Sequence, residues 1–358
     1  MIKLLLRQIS KISITKIAVS FLAFVASLVL IEVALKIVWD NPYQGTRPSS
    51  IVELRIHSPN SNLVVNRSWL GEKDSTFSTD NRGYIKPSRQ HNSPDLTIAF
   101  LGGSTTECFY VSEANRFHYL VSDTLKEKGY QVNTLNAAKS GNTVHDSFNV
   151  YLNHVVQDNP DFVVIMHATN DQGVLALDST YSTRSGQNVT YRKQFKWTVQ
   201  KLSSTFSVLG FARLNITNYR NSQDSIVSVP NPGSERKDLN VDQFKSRLFS
   251  LAQSIRSFGS IPVFMTQPLV ENTSDISPKW ANISNQQMFN NITREIASEM
   301  QMPVVDLEDR LHKMSDFQNN PTRYLYDGMH ATDIASKIYA DEISKALIPL
   351  LFPIETIN

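Results

Sequence analysis

Between Leu96 and Leu347, short apolar runs alternate with segments of helical period, and that alternation constrains the fold more than any other feature. Leu96–Leu101, Val132–Leu135, Phe162–Met166, Pro262–Thr266 and Val304–Leu307 read as strands, and the unbroken apolar run of the first suits a strand buried on both faces. Helical patterns lie between them: from about Arg116 to Lys126-Glu127-Lys128-Gly129, from Val144 to Gln157, from Val241 to Phe258, from Asn285 to Met300, and from Asp333 to Leu347. Gly129, Pro160 and Gly259 are stop signals, since glycine closes a helix and proline cannot continue one. Strands separated by helices of this length predict parallel βαβ units with right-handed crossovers. The expectation is a three-layer α/β/α domain with five parallel strands over residues 95–350. Such a sheet binds its ligand at the carboxyl ends of its strands.

Two stretches break the rhythm. Residues 40–94 are rich in Pro, Ser, Asn and Arg with little periodicity and read as a juxtamembrane spacer that packs on the domain, with a turn at Asp80-Asn81-Arg82-Gly83-Tyr84. Residues 173–240 carry Tyr181, Tyr191, Phe195, Trp197, Phe206, Phe211 and Tyr219, then the turn Val229-Pro230-Asn231-Pro232-Gly233. An insertion after the third strand is either a lid or substrate wall above the sheet edge, or a helical hairpin remote from the chemistry.

The N-terminus supplies the compartment. Ile17 to Ile31 is uncharged, and the apolar region 17–39 reaches the roughly 20 residues that cross a bilayer. Lys3, Arg7, Lys11 and Lys16 precede it, so residues 1–16 are expected in the cytoplasm and the rest outside. An uncleaved anchor is expected ahead of a cleaved signal peptide, because the run is long and no small-x-small cleavage site follows it. The location predicted is a single-pass membrane anchor with the residues that follow it outside the cytoplasm. Charge is nearly balanced, with 35 basic and 33 acidic residues, so no nucleic-acid partner is expected. The single cysteine, Cys108, rules out an internal disulfide and a cysteine-built zinc cluster. No metal or cofactor is expected.

Four short blocks carry the chemical groups. Leu101-Gly102-Gly103-Ser104-Thr105-Thr106-Glu107 presents a serine after a strand; alone, such a serine is more often a helix cap. Asn136-Ala137-Ala138-Lys139-Ser140-Gly141-Asn142 follows the second strand, with a glycine that lets backbone approach a ligand. His167-Ala168-Thr169-Asn170-Asp171 follows the third and offers an amide able to donate to a developing oxyanion. His167 itself reads as a packed residue rather than a catalytic one. Asp327-Gly328-Met329-His330 puts a carboxylate and an imidazole in one loop, close enough for the first to fix the tautomer of the second. Serine needs an adjacent base that a third group orients.

In this order, the blocks resemble the SGNH (GDSL-type) hydrolase superfamily, in its membrane-anchored bacterial form, from about Leu96 to Leu347. The resemblance implies a flavodoxin-like fold with Ser104 as nucleophile, His330 as general base and Asp327 orienting it. It implies an oxyanion hole from Ser104, Gly141 and Asn170. Glu107, Asn142 and Asp171 are candidate substrate contacts, although Glu107 reads better as satisfying a loop N–H. The sequence departs from the family pattern at Gly103, where the usual residue is acidic, and at Ala168 and Ala335, where glycine is frequent. The activity implied is a serine esterase or O-acyl (acetyl) transferase acting on a cell-surface or secreted polysaccharide. A non-catalytic glycan-binding or assembly subunit is the alternative, and a membrane acyltransferase or export partner is a further expectation.

Overall fold

The computed structural model describes residues 14–41, 54–178, 180–181, 199, 202–223, 240–270 and 283–351. The chain divides into two compact units, one of Leu54–Gln187 with Asn231–Asn358, the other of Met1–Glu53 with Asn188–Pro230.

In the larger unit, β1 (Asn62–Val65) and β2 (Ser75–Ser78) form an antiparallel hairpin. The central sheet follows: β3 (Leu96–Gly102), β4 (Val132–Asn136), β5 (Phe162–Met166), β6 (Ile261–Met265) and β7 (Val304–Val305). Its order is β4-β3-β5-β6-β7 and every pairing is parallel. Side chains alternate across a strand, and here both faces are apolar. Ala99, Leu101, Val163, Ile165 and Phe264 join one core with residues of the helices Val144–Asn153, Val241–Ser257 and Ile283–Met300. Ile98, Phe100, Val164, Met166, Val263 and Met265 join the other with the helices Phe117–Lys126 and Asp333–Leu351. The chain thus has the three-layer α/β/α architecture, with the five parallel strands that the alternation predicts.

Boundaries differ where a cap intervenes. Val304–Leu307 is expected as a strand, yet β7 stops at Val305. Asp306 accepts a hydrogen bond from the Asp309 N–H, caps the helix Leu307–His312 and moves Leu307 into it. The expected helix to Gln157 ends at Asn153 and gives way to a 3₁₀ turn, Val155–Asp158.

The expected spacer has its own structure from residue 54 onward. Val65, Phe77 and Ile85 form a small third core. The Ile85 N–H donates to the Asn136 carbonyl at 2.9 Å, so the segment covers the outer edge of β4. Arg116, fully buried, donates to the Lys86 and Thr76 carbonyls at 2.6 and 2.8 Å. The predicted turn is present, with the Arg82 and Tyr84 N–H groups donating to the Asp80 carboxylate.

The smaller unit contains the helix Ile14–Val38, of which Ala18–Val38 is long and apolar enough to cross a membrane. The helix Ser207–Gln223 docks at its far end: Glu32 accepts the N–H groups of Ser207 and Val208 at 2.8 and 2.9 Å, and Trp39 meets Phe211 edge-on at 5.5 Å. Reading the insertion as a lid or substrate wall rests mainly on residues outside the described ones, Tyr191, Phe195 and Trp197 among them.

Candidate active site

Strand β3 delivers Ser104. Gly103 is extended (φ −92°, ψ −151°) and Ser104 opens the short helix Ser104–Glu107, which Cys108 ends in the left-handed region at φ 54°. His330 Nε2 lies 2.7 Å from Ser104 Oγ, and His330 Nδ1 lies 2.6 Å from Asp327 Oδ2. The other Asp327 oxygen accepts the N–H groups of His330 (2.8 Å) and Met329 (3.1 Å). A Leu325–Ala331 bridge closes this loop at its base. Burial opposes the charge on Asp327, but the His330 hydrogen bond and charge and the two backbone donors outweigh it, holding the carboxyl below its usual range. A charged Asp327 keeps the proton of neutral His330 on Nδ1, leaving Nε2 to take the serine proton.

The opposite side of Ser104 is built from the second and third blocks. Gly141 sits at φ 77°, a conformation glycine adopts without strain. Asn170 donates one hydrogen of its amide to the Asn142 carbonyl at 2.9 Å, which fixes the amide plane; the amide carries a second hydrogen. Gly103 makes room for this. A Cβ there would come within 2.3 Å of Asn170 Nδ2 and 3.1 Å of the Asn142 carbonyl oxygen. The acidic residue usual at this position would therefore displace the Asn170 amide, which gives the Gly103 departure a structural reason. A serine relayed to a charged carboxylate, faced by an oriented amide donor, is equipped for acyl transfer.

The profile of the GDSL-like lipase/acylhydrolase family matches residues 100–338, from the nucleophile strand through the Asp327–His330 loop. The chain belongs to that family. No curated protein matches this GDSL-like acylhydrolase in sequence. Among solved structures it resembles the acetyl xylan esterase AlAXEase at 18% identity (TM-score 0.46, covering 71% of this chain and 100% of that one). It also resembles a lipase/acylhydrolase from Enterococcus faecalis at 16% identity (TM-score 0.46, 70% and 95%) and the acetylxylan esterase Axe2 from Geobacillus stearothermophilus at 17% (TM-score 0.45, 71% and 94%).

Of the three candidate substrate contacts, Asn142 and Asp171 need correction and Glu107 satisfies a loop N–H as expected, because each is buried and already bonded. Glu107, 2% exposed, has His57 Nε2 2.8 Å from one oxygen and accepts the Ser140 N–H (3.1 Å) and hydroxyl at the other. Burial opposes its ionisation, but the hydrogen bond and charge of His57 and the Ser140 donors keep its carboxyl below the usual range. The Asn142 side chain accepts from Arg55 Nε (2.9 Å) and donates to the Arg55 carbonyl (3.1 Å). Asp171, fully buried, accepts the Val144 N–H (2.9 Å) and the Tyr181 hydroxyl (2.6 Å), tying the third block to the helix that follows the second. Burial pushes its carboxyl up to about 7.

Other residues settle into structural places. His167 is buried, with Nε2 2.8 Å from the Ser147 hydroxyl, and burial depresses its imidazole to about 3. Ala168 and Ala335 are core residues on opposite faces of the sheet, where glycine would leave space. Cys108 is buried behind Ser104, and desolvation pushes its thiol up to about 12, far from a nucleophile's range. A cavity of about 530 Å³ lined by Asp80, Lys86, Arg89, Glu113 and Tyr119 includes no member of the Ser104–His330–Asp327 relay.

The sequence reading missed the braces. Arg55 Nη2 also donates to the Ser140 carbonyl (2.9 Å), and Lys139 Nζ donates to the Ile56 carbonyl (2.6 Å). Residues 55–57 thus bond to Lys139, Ser140, Asn142 and Glu107, the loop that flanks Ser104. Asn136, on β4, donates to the Thr106 carbonyl at 2.8 Å and so holds the nucleophile helix from behind. Tyr326 stacks on His330, with centroids 5.6 Å apart and planes 14° apart. No local motif announces Arg55 or His57; their partners Asn142 and Glu107 lie 87 and 50 residues downstream.

Proposed function

We propose that this chain is a serine-dependent O-acyl esterase, of the acetyl-ester kind, acting on a polysaccharide outside a bacterial inner membrane to which the helix Ile14–Val38 anchors it. The observation that carries the chemistry is the unbroken relay Ser104 Oγ–His330 Nε2 and His330 Nδ1–Asp327 Oδ2, at 2.7 and 2.6 Å. Ser104 attacks the ester carbonyl as His330 takes its proton. The tetrahedral oxyanion is received by the Ser104 and Gly141 N–H groups and the Asn170 amide. Collapse transfers the His330 proton to the departing sugar oxygen and leaves an acyl-enzyme, which water then resolves by the same relay in reverse. If a glycan hydroxyl replaces water, the same groups perform acyl transfer. Four cations before the apolar helix support an outward-facing catalytic unit, where acylated cell-surface or secreted glycans are the available esters. The intact relay weighs against a subunit that only binds glycan.

The test compares the full-length protein in nanodiscs, wild type and Ser104→Ala, on 4-nitrophenyl acetate and on acetylated xylan. Loss of about 10⁴-fold or more in the variant is expected on both substrates. A Ser104→Ala protein that retains turnover would overturn the nucleophile, and wild-type acetate release only with an added sugar acceptor would make the enzyme a transferase.

A further inference from the structure

The segment that precedes the catalytic domain puts an indole beside the catalytic base. Trp69 lies on the 3₁₀ turn Ser68–Leu70 and is 57% exposed. Its ring centroid is 5.3 Å from that of Tyr110 and 5.3 Å from that of Tyr326, at 86° and 83°. Tyr110 and Tyr326 in turn meet at 5.9 Å and 84°, and Tyr326 stacks on the His330 imidazole. An unbroken aromatic run therefore leads from a largely open indole to the base of the relay.

The turn that carries Trp69 is pinned. Arg67, 4% exposed, is paired with Asp333 at 2.8 Å. Asp333 also accepts the Ser112 N–H (3.0 Å), the Ser112 hydroxyl (2.6 Å) and the Asn115 amide (2.8 Å). Leaving a large apolar ring in water forgoes the stabilisation its burial gives. Here a buried guanidinium and two tyrosines fix the ring in that exposed position instead. A rigid, preset aromatic surface loses little freedom when it binds.

Direction decides what it binds. In ester cleavage, the base hands its proton to the departing oxygen, so the alcohol part of the ester lies against His330 while the carbonyl oxygen points to Asn170 and Gly141. The aromatic run begins at His330. We propose that Trp69, with Tyr326 and Tyr110 behind it, is a stacking subsite for a sugar ring of the alcohol part, the acyl-bearing residue or its chain neighbour. The inference rests on the glycan-esterase reading above and extends it to a named subsite. A pyranose presents an apolar C–H face to an indole and leaves its hydroxyls at the rim, where the two phenols can hydrogen-bond them.

The test takes the full-length protein in nanodiscs and compares kcat/KM for acetylated xylo-oligosaccharides with kcat/KM for 4-nitrophenyl acetate. Trp69→Ala is expected to lower the ratio of the two about tenfold through a higher KM for the oligosaccharide, the size of one aromatic stacking contact. Trp69→Phe restores most of the ratio. Trp69→Leu, which keeps apolar bulk on the turn but has no ring face, does not. An unchanged ratio in both the Ala and the Leu variants would overturn the subsite. A loss confined to 4-nitrophenyl octanoate would assign the ring to an acyl chain and overturn it too. Wild-type protein that cleaves 4-nitrophenyl acetate but no acetylated glycan would instead fail the functional reading beneath it, and the subsite with it.

Discussion

The two sides of Ser104 are held by different means. On one, Asp327 and His330 share a loop four residues long, bonded to itself through Asp327 and closed by the Leu325–Ala331 bridge. On the other, Asn170 takes its orientation from the Asn142 carbonyl, and the Asn142 loop takes its own from Arg55, while Glu107, paired with His57, holds Ser140. The base side is mostly local, with the Val270 N–H donating to the Gly328 carbonyl at 2.8 Å and Tyr326 packed against Trp69 and Tyr110 from outside the loop. The oxyanion side is assembled from four separate stretches of chain, one of them before the segment that the family profile matches. A fault on the second side can begin at Arg55, 85 residues before the Ser140 carbonyl it holds.

The largest effect should come from Asp327→Asn. The amide keeps the shape of the loop but no longer favours the His330 tautomer with its proton on Nδ1, and it cannot stabilise the imidazolium. A fall of about 10⁴-fold in kcat on 4-nitrophenyl acetate is expected, with the fold intact by circular dichroism. A loss of tenfold or less would mean that another group orients His330.

Arg55→Ala probes the other side. The side chain touches no reacting atom; it positions the Ser140–Asn142 loop, and through the Asn142 carbonyl the Asn170 amide. Misplacing an oxyanion donor by about an ångström costs up to about 10²-fold. The expectation is a fall in kcat of about 10- to 100-fold with KM on 4-nitrophenyl acetate little moved, and partial recovery in Arg55→Lys, which keeps one donor of the two. A variant that changes KM alone, or loses only thermal stability, would reduce Arg55 to a structural contact and leave the oxyanion side independent of the N-terminal segment.

This division also explains what could be read in advance. The sheet and its helices follow from periodicity, because alternating apolar residues must face the cores they form on either side. The relay was legible because Asp327 and His330 are sequence neighbours and serine after Gly-Gly at a strand end is a local pattern. Glu107 satisfies a loop N–H as expected, while the adjacency of Asn142 and Asp171 to their motifs says nothing about whether their side chains turn outward. Each turns inward to a partner that comes from elsewhere, His57, Arg55 or Tyr181. Residues 40–94 read as a spacer and extension packed on the domain, but where they pack could not be read, since from residue 54 onward the contacts are single polar bonds and one exposed indole that leave no repeating signature. Gly103, a departure from the family pattern, leaves the space that the Asn170 amide occupies.

Asp171 gives the smallest and most specific test, one of stability. Its carboxyl is pushed up to about 7 by burial, whereas an unfolded carboxyl titrates near 4. Between those values folding takes up a proton, so its contribution to stability is complete below about pH 4 and is lost as pH rises to about 7. His167, with Nδ1 3.6 Å from the Asp171 oxygen, works in reverse. Its imidazole is depressed to about 3, so its contribution is complete above about 6.5 and is lost as pH falls toward 3. The two slopes oppose one another over most of the same window, and the wild-type stability profile should be nearly flat there. Asp171→Asn keeps an oxygen for the Tyr181 hydroxyl and the Val144 N–H and puts an N–H toward His167, mimicking the protonated acid at every pH. The free energy of unfolding of the variant, relative to wild type, should therefore climb as pH is raised from 4 to 7, by no more than about 1.4 kcal/mol per pH unit. Parallel wild-type and variant profiles would show that Asp171 is ionised in the folded protein at neutral pH and that burial behind the Asn170 loop does not control its proton.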